Sequence, residues 1–278
     1  MPSPSLPIIP ALIARRRALT RGWGGRIAFV CGVLAAVTAH ARAQPITVSA
    51  ASSLRAALQS VNAEYEKLSR EKISTVYGPS FRLASDIARG AVPDVFISAD
   101  PASVAYLDEH KLVRGDVLMS LVRNRLVLVA REGAPQAAQS KKSFVAAMTD
   151  MASLALPDPK EHPAGKFGQA ALVKLGLWDR VAAKTRSAPS TRAALDLVVN
   201  REVDGAVVYR SEALREPRTR VVQILPEQTH PPILYTVAVT TGGRGWPTVS
   251  AYVSFIRSQV ALDIFERYGF ERDAAWRK

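Results

Sequence analysis

The chain has 278 residues, a formal net charge of +13 and a single cysteine. The length exceeds one compact core and points to two domains, and one cysteine excludes a disulfide framework. The basic balance favours anionic partners, but no basic run is interleaved with stacking aromatics, which argues against nucleic acid.

Taken from the N-terminus, Arg15, Arg16, Arg17, Arg21 and Arg26 precede an apolar run from Ile27 to Ala39, and Ala41-Arg42-Ala43 fits a small-x-small cleavage site. The pattern predicts a secretory signal peptide over residues 1–43. An apolar run of 13 residues is short of the ~20 needed to cross a bilayer. Cys31 lies inside that run and leaves with it. The mature chain is then free of thiols, carries a net charge of +7, and is expected in the periplasm. Its stability must come from a core, which about 235 residues can supply.

The mature chain alternates apolar strands with amphipathic helices. Ile46 to Ala50 reads as a strand and Ser53 to Ser69 as a helix, with Leu54, Ala57, Leu58, Val61, Tyr65 and Leu68 on one face. A strand at Ile73 to Tyr77, a helix at Phe81 to Arg89 stopped by Gly90, and a strand at Asp94 to Ser98 follow. Asp100-Pro101 opens a further helix. This alternation predicts a parallel sheet whose ligands sit at the carboxyl ends of the strands.

Arg125 to Ala130 is a continuous apolar strand suited to crossing into a second lobe. Beyond it come the segment Ser140 to Asp150, a strand at Ser153 to Leu156, the loop Pro157 to Gly165 and a helix from Lys166 to Leu175. Pro189-Ser190-Thr191 caps a helix from Arg192 to Asn200, Ala206 to Tyr209 is a buried strand, and Ile233 to Thr240 is read as the return crossing. Two helices, Pro247 to Arg257 and Gln259 to Tyr268, close the chain.

Two stretches carry the chemistry. Ser80, in Tyr77-Gly-Pro-Ser80, and the serines of Val48-Ser-Ala-Ala-Ser-Ser-Leu54 stand where a strand end becomes a helix. A serine there can cap the helix and turn its hydroxyl and the free N–H groups of the first turn toward an anion. Two such ends aimed at one point make an anion cage without charged ligands.

On Ala50-Ala-Ser-Ser-Leu54, Gly90-Ala-Val-Pro-Asp-Val-Phe-Ile-Ser-Ala-Asp100, Pro163-Ala-Gly165, Leu175-Gly-Leu-Trp-Asp179, Val208-Tyr209 and Ile264-Phe-Glu-Arg-Tyr-Gly-Phe270, the chain resembles the periplasmic molybdate-binding proteins of ABC importers, the ModA type. The resemblance runs from about Ile46 to Phe270. It implies a type II periplasmic-binding-protein fold, two α/β lobes joined by two crossing segments with the ligand in the cleft. The corresponding division is residues 44–123 plus 240–278 for lobe 1 and 124–239, with the crossing strands, for lobe 2. The implied ligand is molybdate or tungstate, with no other cofactor and no cation ligands. The implied partner is a membrane permease, and the protein is expected to be a monomer. By position, Ser53 and Ser80 would offer hydroxyls from the first lobe. Ala164 and Thr191 would offer main-chain N–H groups from the second, and Tyr209 its hydroxyl.

Departures from the family pattern fall at Gly78-Pro-Ser-Phe-Arg82, where relatives carry small residues. Pro79 has no N–H to give, and Phe81 and Arg82 are bulky; Arg82 is read as a surface residue, with an inward position the alternative. Asp94 is expected to bond backbone at the start of its strand, and His162 to be structural. Sulfate or a phosphorus oxyanion in the same fold is the nearest alternative. A secreted hydrolase is disfavoured, because Arg82 replaces the closing glycine of a Gly-x-Ser-x-Gly elbow and His110, His162 and His230 show no metal-ligand spacing.

Overall fold

A computed structural model describes residues 44–133 and 144–273. The leader read at 1–43, Cys31 with it, and the start of the Ser140 segment lie outside the described residues.

The first strand, β1 (Ile46–Ala51), is buried at every residue except Thr47 and runs into a single 3-10 turn, Ser52–Leu54. In α1 (Arg55–Ser69), Ala57, Leu58, Val61 and Tyr65 recur at helical spacing and form the buried stripe. After β2 (Ile73–Gly78) comes α2 (Ser80–Ala88), followed by Gly90 at φ 107°. β3 (Val95–Ser98) then leads to α3 (Pro101–Glu109), whose first turn is held by the Asp100 carboxylate accepting from Ala102 N–H.

β4 (Val113–Asn124) and β5 (Leu126–Arg131) are nearly continuous. Beyond them lie α4 (Phe144–Asp150), β6 (Leu154–Pro157), α5 (Pro163–Lys174), α6 (Trp178–Val181), β7 (Thr185–Ala188), α7 (Thr191–Val199), β8 (Gly205–Tyr209), α8 (Arg210–Ala213) and β9 (Thr219–Ile224). The chain ends through β10 (Ile233–Thr240), α9 (Trp246–Ile256), α10 (Gln259–Arg267) and β11 (Glu271–Arg272).

Two sheets result. The first has the order β11-β4-β10-β3-β1-β2 and the second β7-β6-β8-β5-β9. The expected parallel pairing holds for β1 with β2 and β3, and for β6 with β7 and β8. Both sheets are nonetheless mixed, because β10 runs antiparallel to β3 and β4, and β5 antiparallel to β8 and β9. Ile233–Thr240, read from the sequence as a crossing strand of the second lobe, pairs along its length within the first sheet. The passage from the second sheet back to the first therefore lies in residues 225–232, and the outward passage is at Asn124-Arg125.

Side chains alternate across the strands, which fixes where the core sits. In β3, Val95 and Ile97 join the main apolar cluster, while Phe96 faces Leu83, Ile87, Val104 and Leu107 from α2 and α3. In β8, Val207 and Tyr209 face the main cluster and Ala206 and Val208 face Ala194, Leu195 and Val198 of α7. Strands covered on both faces read as unbroken apolar runs, which is why β3 and β8 stand out in the sequence.

Asp94 ties the start of β3 to its neighbours. Its Oδ2 accepts from Thr47 N–H at 2.8 Å and Thr47 Oγ1 at 2.9 Å, and Arg244 donates from its backbone N–H at 2.8 Å and its guanidinium at 2.7 Å. Burial pushes this carboxyl up, but the Arg244 guanidinium and the Thr47 and Arg244 N–H groups outweigh it and bring the pKa down to about 2. A depressed acid pKa stabilises the fold above the usual value near 3.8 and loses that contribution as pH falls toward 2. About 2 kcal/mol is at stake. Asp94→Asn is expected to lower the unfolding free energy by about 2 kcal/mol at neutral pH and to leave a shallower loss between pH 4 and pH 2. Denaturant melts across that range check this, and an unchanged acid limb would count against it.

Candidate functional site

Strand ends and helix starts meet at one cavity of about 160 Å³. From the first sheet, the segments after β1, β2 and β3 contribute Ser53, Ser80 and Ala99; from the second, the starts of α5 and α7 contribute Ala164 and Thr191 and the end of β8 contributes Tyr209. All five residues singled out in the sequence line this one space. Such a position, outside the carboxyl ends of the strands, is where an α/β sheet receives ligands.

Neither serine caps its helix by side chain. Pro79 takes the N-cap position of α2, with extended backbone at φ −59° and ψ 136°, and Ser80 is already helical. Its Oγ accepts from Ala99 N–H at 3.0 Å, so one lone pair is held by the next strand end and the hydroxyl hydrogen remains to be donated. Ser53 lies within the 3-10 turn, its Oγ 2.7 Å from the Tyr235 hydroxyl.

Asn124, at the outward passage, sets the direction of that contact. Its Oδ1 accepts from Arg125 N–H at 2.9 Å and from Ser211 N–H at 3.4 Å, so its amide nitrogen must face the other way. The amide donates to Ser211 Oγ at 2.8 Å and to Tyr235 Oη at 3.2 Å. With its oxygen accepting from Asn124, Tyr235 can give its own hydrogen to Ser53, the arrangement that leaves the Ser53 hydrogen for the cavity. Burial pushes the Tyr235 phenol far up, so it stays protonated for this task.

In the second lobe, α5 starts at Pro163 and not at Lys166 as the sequence suggests, because proline is preset for the first helical turn. Its first backbone bond runs from Lys166 N–H to His162 O, which places the Ala164 N–H ahead of the helical ladder. Gly165 permits the approach of this turn to β6, since a Cβ there would stand 2.0 Å from the Pro157 carbonyl oxygen. At α7, Ser190 is the N-cap and accepts from Ala193 N–H at 3.0 Å, and Thr191 opens the helix. The Tyr209 hydroxyl is sealed from solvent and has no hydrogen-bond partner among the described residues; burial raises its pKa well above the ordinary phenol value.

Glu212, Asn124 and Tyr235 were not singled out from the sequence. Glu212 follows Tyr209 by three residues and lines the same cavity, a spacing that would have pointed to it once Tyr209 was placed at a helix start. Tyr235 reads as one more core aromatic in an apolar run, and nothing in the sequence marks Asn124.

The electrostatics follow from the helix ends. Among the described residues, no lysine or arginine lines the cavity; its donors are hydroxyls and the amides opening α2, α5 and α7. Each helix start carries roughly half a positive charge, so the three helix starts are electropositive without any cation, with Glu212 the acid among the lining residues. Phe81 and Arg82 are exposed and do not line this space, so the bulky departures in the α2 turn leave its shape alone. Pro79 lines it and gives no N–H there. Asp94 bonds the backbone as expected and sits at the far end of β3. The arrangement suits a small anion held by many short, charge-assisted hydrogen bonds.

Comparison with known proteins places this geometry in a family. The sequence pattern of the bacterial extracellular solute-binding proteins matches residues 46–271. The molybdate-binding protein ModA of Escherichia coli is 35% identical over 231 residues, covering 81% of this chain and 88% of that protein. The substrate-binding domain assigned to a molybdenum ABC transporter of Clostridium difficile superposes with a TM-score of 0.72 at 31% identity, covering 82% of this chain and 99% of that one. The periplasmic molybdate-binding protein of Azotobacter vinelandii shares the fold at a TM-score of 0.71 and 20% identity, covering 82% and 99%. With a two-lobed mixed-sheet fold and a cavity walled by helix starts, this chain belongs to the bacterial extracellular solute-binding proteins, among the relatives of ModA.

Proposed function

We propose that the protein captures molybdate, with tungstate as a second guest, in the periplasm and delivers it to the permease of an ABC importer. The observation that carries this reading is that Ser53, Ser80, Ala164, Thr191 and Tyr209, all neutral donors, line one cavity. A buried dianion loses hydration worth many kilocalories per mole, and short hydrogen bonds from oriented amides and hydroxyls return it. Because the donors are fixed on helix starts of both lobes, anion size becomes the discriminating variable. The relatives' names point to molybdenum oxyanions, and they are solute-binding proteins; in this reading no bond is made or broken.

Closure follows from the same geometry. The two lobes meet through Asn124-Arg125 and residues 225–232, and the cage is complete only when both sides contact the guest, so the anion favours the shut form. Calorimetric titration of the mature protein with molybdate, tungstate, sulfate and phosphate tests the reading. One site filled by molybdate or tungstate, in preference to sulfate and phosphate, is expected. Binding of sulfate or phosphate alone would transfer the mechanism to another oxyanion, and no heat with any of them would remove it.

Tyr235→Phe isolates the orienting chain behind Ser53. The ring is retained while the relay from Asn124 is cut, so molybdate affinity is expected to fall about three- to tenfold, or ~1 kcal/mol, with little change in thermal stability. An affinity equal to wild type in the same calorimetric assay would show that Ser53 needs no such orientation.

A further inference from the structure

Glu212 stands out as an acid in the wall of a cavity that otherwise presents only neutral donors and the ring of His162. The residue keeps part of its surface open, but its Oε2 is shut off from solvent and has no hydrogen-bond partner among the described residues. The Thr191 hydroxyl, at the start of α7 in the same wall, favours the charged form of this carboxyl. The Tyr209 hydroxyl, in the same wall, is likewise buried and unpartnered. A buried polar atom without a partner is unfavourable, so each gains from a partner brought within its reach as the lobes close around the guest.

An oxyanion offers acceptors only. Tyr209 can meet it with a phenol hydrogen, but a Glu212 carboxylate has no hydrogen to give and would repel the guest. We propose that Glu212 is a sixth contact to the anion, that it makes this contact as a neutral carboxylic acid donating from Oε2, and that anion binding therefore draws a proton from solvent. This rests on the oxyanion reading of the cavity.

The surroundings agree with that assignment. Burial pushes the Glu212 carboxyl up to about 7, against the Thr191 hydrogen bond and the Arg215 and Arg192 guanidinium groups, which favour the charged form. Arg192 is itself paired with Asp196 and Glu216, so its charge is shared. Tyr209 and Tyr235 face Glu212 as neutral phenols, both raised by burial. Asp100 adds negative charge on the Tyr209 side, and His162 stands in the cavity wall at the start of α5. A bound dianion adds further negative charge and drives the carboxyl toward its protonated form.

The sign of the pH dependence follows. Below about pH 7 the proton is already in place and affinity is flat, whereas above it the proton must be taken up and affinity falls by up to about tenfold per pH unit. Sodium molybdate is titrated into the mature protein from about pH 6 to about pH 9, in buffers of different ionisation heat, with wild type, Glu212→Gln, Glu212→Ala and His162→Gln. Wild type is expected to take up close to one proton per anion at the alkaline end. Glu212→Gln keeps a donor at the Oε2 position, so its affinity should be flat with pH and exceed wild type at the alkaline end. Glu212→Ala should bind about tenfold more weakly than Glu212→Gln throughout, and His162→Gln should retain the wild-type slope.

Wild-type binding with no proton uptake would overturn the inference and leave the oxyanion reading standing, as would a slope that survives Glu212→Gln or vanishes with His162→Gln. Absence of molybdate binding by wild type at every pH would remove both. The proton count on wild type stands whether or not the variants fold.

Discussion

Replacing Ser53 and Ser80 together by alanine is expected to weaken molybdate binding by about 10²- to 10⁴-fold, the loss of two hydroxyl hydrogen bonds to a charged guest at ~1.5–3 kcal/mol each. The two positions fail for different local reasons. Ser80 Oγ also accepts from Ala99 N–H, so Ser80→Ala leaves a buried amide unpaired and should lower thermal stability as well as affinity. Ser53 Oγ is the partner of the buried Tyr235 hydroxyl, whose Asn124 contact uses only the phenol oxygen, so Ser53→Ala should lower stability along with affinity through the tyrosine and not through a backbone amide. Calorimetry and thermal melts on both single variants and the double variant separate these effects. A double variant that binds like wild type would mean that the first lobe supplies no hydroxyl to the anion.

Gly165→Ala is expected to be comparably severe although it removes no donor. Its Cβ would lie 2.0 Å from the Pro157 carbonyl oxygen and 2.7 Å from the carbonyl carbon, backbone atoms that cannot turn aside. The start of α5 must then retreat from the end of β6, carrying the Ala164 N–H out of the cavity. A stability loss of about 2–4 kcal/mol should accompany an affinity loss of about 100-fold or more. Gly168→Ala, on the same helix, is the internal comparison. There the nearest atom is the Leu156 Cδ1 side-chain end at 2.6 Å, which can yield, so affinity should stay near wild type while stability falls by about 1–2 kcal/mol. Equal effects at the two glycines would contradict a specific role for the α5 start.

What was legible in the sequence were the elements with strong local signals. β1, β3 and β8 are almost wholly buried because the sheets are covered on both faces, and α1 and α10 show a regular buried stripe. Proline after Asp100 and the serine before Thr191 mark real helix starts. Four strands escaped, the two-residue β11 among them. β7 and β9 lie at the edges of the second sheet and keep polar, half-exposed residues, and β4 alternates irregularly with Gly115 and Asp116 exposed within it. Strand direction also escaped, because alternation of strands with helices says nothing about β10, whose antiparallel place beside β3 is set by tertiary pairing.

The candidate site was legible as positions more than as contacts. Ser80 and Ser53 mark strand-to-helix junctions correctly, but their hydroxyls reach Ala99 and Tyr235, partners 19 and 182 residues away, where a local capping rule cannot look. Glu212 escaped because an acid beside a proposed anion looks out of place until burial and the missing Oε2 partner are seen.

The central claim is that neutral donors from both lobes converge on a single dianion. Diffraction at the molybdenum absorption edge from crystals grown with molybdate tests it most directly. One molybdenum centre is expected inside the cavity, with its oxygens within hydrogen-bond reach of the Ser53, Ser80 and Tyr209 hydroxyls and the Ala164 and Thr191 amides. Molybdenum bound elsewhere on the protein, or held by lysine or arginine side chains, would contradict it.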